Sequence, residues 1–295
     1  MNLPFGAIDH GQIIDLASFK NRDVAIGKLL LEAGKLKQQD LMSVLRLQQE
    51  QNLRFGEAAV KLGLVTETDI RQALSSQFEH PCVSDNCEGF SPELVVATAP
   101  TDKKVEALRS VRSQLLLRWF KEGRKTLAIG CAKKLEGASY LAANLAVLFA
   151  QLGKKTLLID ADMRQPRQHE IFNLGNSKGL SDILAGRAEA TISCSIKSFP
   201  TLSVMASGSP PPNPAELLVR PVFGALLSSL ERSYDVILID TSPFPYMSDF
   251  QAVATEAGGV LIAARRNVSR LAALTELKGK IIRSSAHLIG VVVLD

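Results

Sequence analysis

Residues Thr126 to Pro166 read TLAIGCAKKLEGASYLAANLAVLFAQLGKKTLLIDADMRQP. An apolar strand, a short loop, a helical stretch and a second apolar strand ending in Asp follow one another. This is the layout of a phosphate-binding loop, where glycine admits close backbone approach and the helix start offers free N–H groups to an anion. Such loops usually close on Gly-Lys-Ser, but this one closes on Gly137-Ala138-Ser139. Gly137 is kept, and so is Ser139, whose hydroxyl stands where one would ligate Mg²⁺. The lysine is replaced by Ala138 and one loop glycine by Leu135. Losing a charge-assisted contact costs about 1.5–3 kcal/mol in binding. Losing one preorganised donor to a transition state costs about 10²–10³ in rate. Nucleotide binding is therefore expected to survive in weakened form, with phosphoryl transfer affected more. Lys133 and Lys134, in the same loop, are the candidates to reach a phosphate in place of the missing side chain.

Beyond this stretch, strands and helices alternate. Candidate strands are Thr126–Cys131, Thr156–Asp160, Leu202–Ala206, Val236–Asp240, Val260–Ala264 and Ile289–Leu294. They are apolar throughout, as in strands buried on both faces, and helical stretches separate them. The pattern predicts an α/β fold with a doubly wound, mostly parallel sheet. Sheets of this kind bind ligands at the carboxyl ends of their strands. Three strand ends carry polar signatures: CAKKLEGAS, DADMR and DTSP. Asp160 and Asp162 alternate along an extended segment, so both can face one crevice, with Arg164 close behind. Asp240 ends a run of four apolar residues. Carboxylates beside a phosphate loop suit Mg²⁺, which takes hard oxygen ligands and keeps several waters.

The N-terminal part follows a different rule. Residues 26–49, IGKLLLEAGKLKQQDLMSVLRLQQ, align without a gap on 55–78, FGEAAVKLGLVTETDIRQALSSQF. Gly27 matches Gly56, Gly34 matches Gly63, Asp40 matches Asp69 and Leu41 matches Ile70. Each unit reads as a helix, a Gly turn and a second helix, with apolar positions recurring at three and four. Thr66 and Asp69 make a start like a capping box, with Asp in place of Glu. The expected organisation is a small all-α helical-hairpin repeat domain over 1–80, a linker rich in Pro, Ser, Asp and Gly over 81–104, and the α/β domain over 105–295. Trp119, the only tryptophan, closes an amphipathic helix and is expected to anchor it to the sheet.

Composition narrows the function classes. The net charge is +4 with no Lys/Arg block, which argues against a nucleic-acid binder. Four cysteines are too few for a disulfide framework, and Cys82 with Cys87 make only half a metal site. The N-terminus has neither the basic start nor the apolar core of a signal peptide. The longest mostly apolar stretch, Leu141 to Leu152, falls short of the ~20 residues a membrane span needs. A cytoplasmic protein is expected, reaching the inner membrane through a partner.

These motifs together resemble the cytoplasmic bacterial tyrosine kinases, and more closely the chain-length determinant kinases of exopolysaccharide systems, the EpsG type. KLEGAS before Tyr140-Leu141-Ala142-Ala143-Asn144-Leu145-Ala146 is similar to that family's Walker A loop. Leu157 to Arg164 is similar to its A′ motif, and Asp240 to Pro243 to its Walker B. Glu106, Arg109 and Arg112 match the E-x-x-R-x-x-R helix that the family uses for subunit packing. PPNPAELL and GLSDIL also fit, and the resemblance runs from Ser91 to the C-terminus.

The resemblance implies a P-loop NTPase-type sheet of the MinD/ParA kind. It implies ATP or ADP with Mg²⁺ as cofactors. It gives Asp160 and Asp162 catalytic roles. Lys133, Lys134, Glu136, Gly137, Ala138, Ser139 and Arg164 would bind the nucleotide, and Ser139, Asp160 and Asp240 the metal. The implied partners are a membrane polysaccharide co-polymerase and further copies of the chain. The N-terminal repeat looks like the small domain that begins type II secretion and pilus ATPases, some of which bind cyclic di-GMP. Arg54 and Gly56 keep that pattern, whereas Ala25 stands where the first unit's Arg would be.

Departures from the family divide the readings. Ala138 supplies no charge, and only Tyr140, Tyr234 and Tyr246 exist, with no C-terminal tyrosine cluster. The favoured reading is a regulatory nucleotide-binding subunit or pseudo-kinase. The alternatives are an active protein-tyrosine kinase and a MinD/ParA-like ATPase with Lys133 as its signature lysine.

Overall fold

The computed structural model describes residues 27, 30–31, 34–51, 53–70, 89–175, 178–189 and 194–295. The chain divides into two compact units, Met1–His80 and Pro81–Asp295. Cys82, Cys87, Ala25 and the last residues of the second repeat lie outside the described residues.

In the first unit, helices α1 (Gln38–Gln51) and α2 (Phe55–Lys61) pack around Leu30, Leu36, Val44, Phe55, Ala58, Ala59 and Val65. The glycine turns of the two aligned stretches match. Gly34 and Gly63 are both left-handed, at φ +67° and +66°. Gly34 N donates to Leu31 O and Lys35 N to Leu30 O, and the same pair recurs from Gly63 to Val60 and from Leu64 to Ala59. Gly27 and Gly56 are contact points: an added Cβ would meet Phe55 and Leu41 at the first, and Ile70 at the second. Thr66 and Asp69 close the box expected of them, Thr66 N donating to Asp69 Oδ2 at 2.9 Å and Asp69 N to Thr66 Oγ1 at 3.1 Å.

The second unit opens with α3 (Val95–Thr98) and α4 (Lys103–Arg118), followed by β1 (Thr126–Cys131) and α5 (Ala138–Ala150). Next come β2 (Thr156–Asp160), the short helices α6 (Gln168–Ile171) and α7 (Leu180–Leu184), and β3 (Cys194–Ile196) with β4 (Phe199–Met205). The chain then runs through α8 (Pro214–Leu218), α9 (Pro221–Leu230), β5 (Val236–Asp240), α10 (Met247–Ala257), β6 (Gly259–Arg265), α11 (Leu271–Arg283) and β7 (His287–Leu294). The sheet order is β3-β4-β2-β5-β1-β6-β7, parallel throughout except for the β3–β4 pair. Strands β1, β2 and β5 are wholly buried, which accounts for their unbroken apolar runs.

Every residue of α5 from Leu141 to Ala150 is buried, so it is a core helix, apolar but for Asn144. No helix among the described residues is long and apolar enough to cross a membrane. Trp119 does anchor to the sheet: its indole N–H donates to Thr126 O at 2.9 Å, and the ring lies where a Cβ on Gly259 would collide with it.

The expected linker is corrected over its described part. From Gly89 onward the chain belongs to the α/β core, with Leu94 and Val96 at 0% and 1% exposure. Asn144 of α5 holds it there. Its side chain accepts from Val96 N at 3.0 Å and donates to Glu93 O and Tyr140 O, both at 2.9 Å. The polar, Pro- and Ser-rich flanks masked a short apolar run, LVVA, that the core needed.

Candidate nucleotide site

The phosphate loop springs from β1, an interior strand of the sheet flanked by β5 and β6. Gly137 caps α5 with φ +96°, and a Cβ there would meet the side chain of Leu294 at 2.5 Å. The left-handed backbone is what calls for glycine here, since the Leu294 methyl could turn aside. Leu135 adopts φ +68° as well, without being glycine, and is 67% exposed. Lys133 and Lys134 are exposed, while Ala138 is buried in the lysine's position. Glu136 turns inward: it is fully buried, and one carboxylate oxygen accepts from Lys133 N at 2.9 Å. Among the described residues the cation that touches the loop is one the sequence did not suggest. Arg265, at the end of β6, donates from Nη1 to Leu135 O at 3.3 Å.

Three carboxylates meet at the strand ends. Asp160 and Asp240 are register partners on the adjacent strands β2 and β5, both fully buried. Asp160 organises the A′ turn, its Oδ1 accepting from Asp162 N at 3.2 Å and its Oδ2 from Arg167 N at 3.0 Å and Gln168 N at 2.9 Å. Asp162 Oδ1 accepts from the backbone of Arg164 and Gln165 and from the Ser242 hydroxyl at 2.8 Å. Asp240 Oδ2 accepts from Gln168 Nε2 at 2.8 Å, and the Ser139 side chain stands close enough to favour the ionised carboxylate.

No lysine or arginine side chain hydrogen-bonds any of the three among the described residues. Burial, with Asp162 adding to it, lifts the Asp240 carboxyl to about 7 against the hydrogen bonds from Gln168 and Ser139. Burial and the neighbouring Asp240 likewise hold Asp160 well above the ordinary carboxylate range. Burial first, then the Asp240 charge, pushes the Cys131 thiol to about 12, so it is inert.

Other expected residues fall elsewhere. Arg164 is committed to Asp249, with Nε at 2.6 Å and Nη2 at 3.2 Å from its two oxygens, and lies 4.7 Å from the Tyr246 ring centroid. Glu106 and Arg109 pair on α4 at 3.1 Å. Arg112 donates to Leu148 O at 3.2 Å, at the end of α5 away from the phosphate loop. Arg54 stands exposed before α2, and Gly56 packs on Ile70. No pattern in the sequence marks Gln168, Asp249 or the Arg167–Glu93 pair, in which Arg167 Nη2 lies 3.0 and 3.1 Å from the two Glu93 oxygens. Their roles arise from chain segments that only the fold brings together.

The donor set fits a hard cation. Asp240 Oδ1 and Gln168 Oε1 are buried oxygens without partners, and the Ser139 side chain lies beside the same Asp240. Among the described residues no three His, Cys, Asp or Glu side chains are arranged to hold a metal by themselves. An ion would complete its shell with water and phosphate oxygens, as Mg²⁺ does.

Known proteins resemble the chain in sequence and fold. CapB of Staphylococcus aureus, named as a tyrosine-protein kinase, is 33% identical over 199 residues, 68% of this chain and 87% of CapB. The chain belongs to the bacterial tyrosine kinase family. The kinase domain of the Escherichia coli tyrosine kinase ETK superimposes with a TM-score of 0.66 at 30% identity, covering 70% of this chain and 80% of that domain. The chimerical protein CapA2B2 does so with a TM-score of 0.65 at 32% identity, covering 75% of this chain and 97% of the chimera. The tyrosine-protein kinase Wzc of Salmonella typhimurium is 36% identical over 179 residues, 61% of this chain, yet the chain spans only 25% of Wzc. No family model matches the chain.

Proposed function

We propose that this family member is a regulatory subunit of surface-polysaccharide synthesis, a pseudo-kinase that holds Mg·ADP or Mg·ATP weakly. One observation carries the reading. Buried Ala138 leaves three clustered carboxylates without an ammonium among them, and Lys133 and Lys134 stay in solvent. A bound Mg²⁺ would supply positive charge to phosphate oxygens, held through Ser139 and Asp240. Gly137 and the first N–H groups of α5 would cradle the phosphates, while Asp160 keeps the A′ turn in place.

The subunit's partners are a membrane polysaccharide co-polymerase, for which the CapA2B2 chimera is a suggestive relative, and further copies of itself. Arg109 and Arg112, each with a buried Nε lacking a partner, support a subunit contact at α4 together with Glu106. The N-terminal unit serves as a docking element rather than a cyclic di-GMP site. Gly27 and Gly56 are accounted for by close helix contacts, which need no ligand. The catalytically active alternative has one point in its favour, the Arg265 guanidinium at the phosphate loop.

Calorimetric titration with Mg·ADP tests the reading. Weak binding by the natural chain, tightened about tenfold or more in Ala138→Lys, is expected for restoring a charge-assisted contact. Robust autophosphorylation by the natural chain would sink the pseudo-kinase.

A further inference from the structure

Two residues of the phosphate loop, Leu135 and Gly137, have left-handed backbone, at φ +68° and +96°. Both are touched from outside by one pair on the neighbouring strands. Arg265 of β6 and Leu294 of β7 are register partners. Arg265 Nη1 donates to Leu135 O at 3.3 Å, and the Leu294 side chain lies against Gly137. The backbone of the pair is itself fixed. Arg265 N donates to Ser269 Oγ at 2.8 Å, Val268 N and Ser269 N donate to Arg265 O, and Arg266 N donates to Leu294 O at 2.8 Å. Arg266 is spent on Asp295 at 3.0 Å, whereas Arg265 has no carboxylate partner among the described residues.

We propose that Arg265 is a positioning residue of the phosphate loop, holding Leu135 in the left-handed conformation that a glycine would take unaided. The inference rests on the nucleotide-binding reading and deepens it. A residue with a Cβ is disfavoured there by about five- to thirtyfold in population, and it stays only where its surroundings enforce it. The Leu135 side chain is 67% exposed, so packing enforces little. Among the described residues the bond from Arg265 is the one hydrogen bond that the Leu135 backbone makes. The Leu135 carbonyl and the Glu136 N–H share one rigid peptide plane, so fixing the first fixes where the second points. The bond thereby sets the course of the backbone into Gly137 and the first turn of α5, where the phosphates would lie.

The test is a double-mutant cycle on the full chain, with Arg265→Met and Leu135→Gly made singly and together. Calorimetric titration with Mg·ADP reads it, and so does urea unfolding without ligand. Arg265→Met keeps the apolar stem and loses the donors. It is expected to weaken binding about three- to tenfold and to lower the folding equilibrium constant by a similar factor. In the Leu135→Gly background both losses are expected to shrink below about twofold, because glycine takes the conformation at no steric cost. Arg265→Lys, which keeps a cationic donor, is expected to stay within about twofold of the natural chain in binding.

An equal loss of binding in both backgrounds overturns the role of Arg265 and leaves the nucleotide reading standing. A guanidinium that touched the phosphates itself would act whatever residue stood at position 135. Binding unchanged by Arg265→Met overturns it too. Binding by none of the proteins up to millimolar Mg·ADP refutes the nucleotide reading, and the unfolding cycle then decides alone. Coupling between the two substitutions upholds the hold of Arg265 on Leu135, and additivity overturns it.

Discussion

Leu135 shows what the altered loop costs. At φ +68° a residue with a Cβ is strained, and the exposed side chain recovers little by burial. Leu135→Gly removes strain of about 1–2 kcal/mol and adds about 0.5–1 kcal/mol of chain entropy cost. The expected net is stabilisation by about 0.5–1 kcal/mol, read from urea unfolding. Asp240 makes a second prediction. Its folded-state pKa, about 7, lies above the ordinary carboxylate value, so the folded protein keeps a proton that the unfolded chain has released. The stability this gives is complete in acid and is lost as pH rises through 7. Between pH 6 and pH 8 the loss from this group is on the order of 1 kcal/mol. Unfolding free energies measured at both pH values are expected to differ by about that much, and Asp240→Asn to abolish this part of the difference.

The segment from Gly89 to Ala99 is the element whose assignment changed most between sequence and structure. Asn144 satisfies one of its N–H groups and one of its carbonyls, Ser91 N donates to Ile171 O, and Glu93 pairs with Arg167. Asn144→Ala strands the buried Val96 N–H and is expected to cost about 1–3 kcal/mol. Hydrogen exchange should then quicken at Val96 while the β1 amides keep their protection. The strands were easier to foresee. β1, β2 and β5 match their expected bounds to the residue, because strands covered on both faces are uninterrupted apolar runs. β3 escaped notice: it is three residues long, largely uncovered and antiparallel. The acidic site residues were legible for the same reason as the strands, since Asp160 and Asp240 sit where those runs stop. Gln168 was not, because nothing in a sequence distinguishes an amide in a turn from one facing a carboxylate 72 residues away.

At the scale of the molecule, the two compact units have separate cores, Leu30 to Val65 in one and the two faces of the sheet in the other. Gly259→Ala drives a methyl group into the indole of Trp119 and is expected to destabilise the second unit by about 1–3 kcal/mol through overpacking. The urea midpoint measures it. That same indole is the protein's only tryptophan, buried beside the sheet with Arg124 at 4.3 Å from its ring centroid. Its emission is therefore a private signal from Pro81–Asp295. Heating the protein while recording fluorescence follows that unit alone, whereas far-ultraviolet circular dichroism sums the helices of both. The two melting curves are expected to part company, and the gap between them reads out the N-terminal unit without a label.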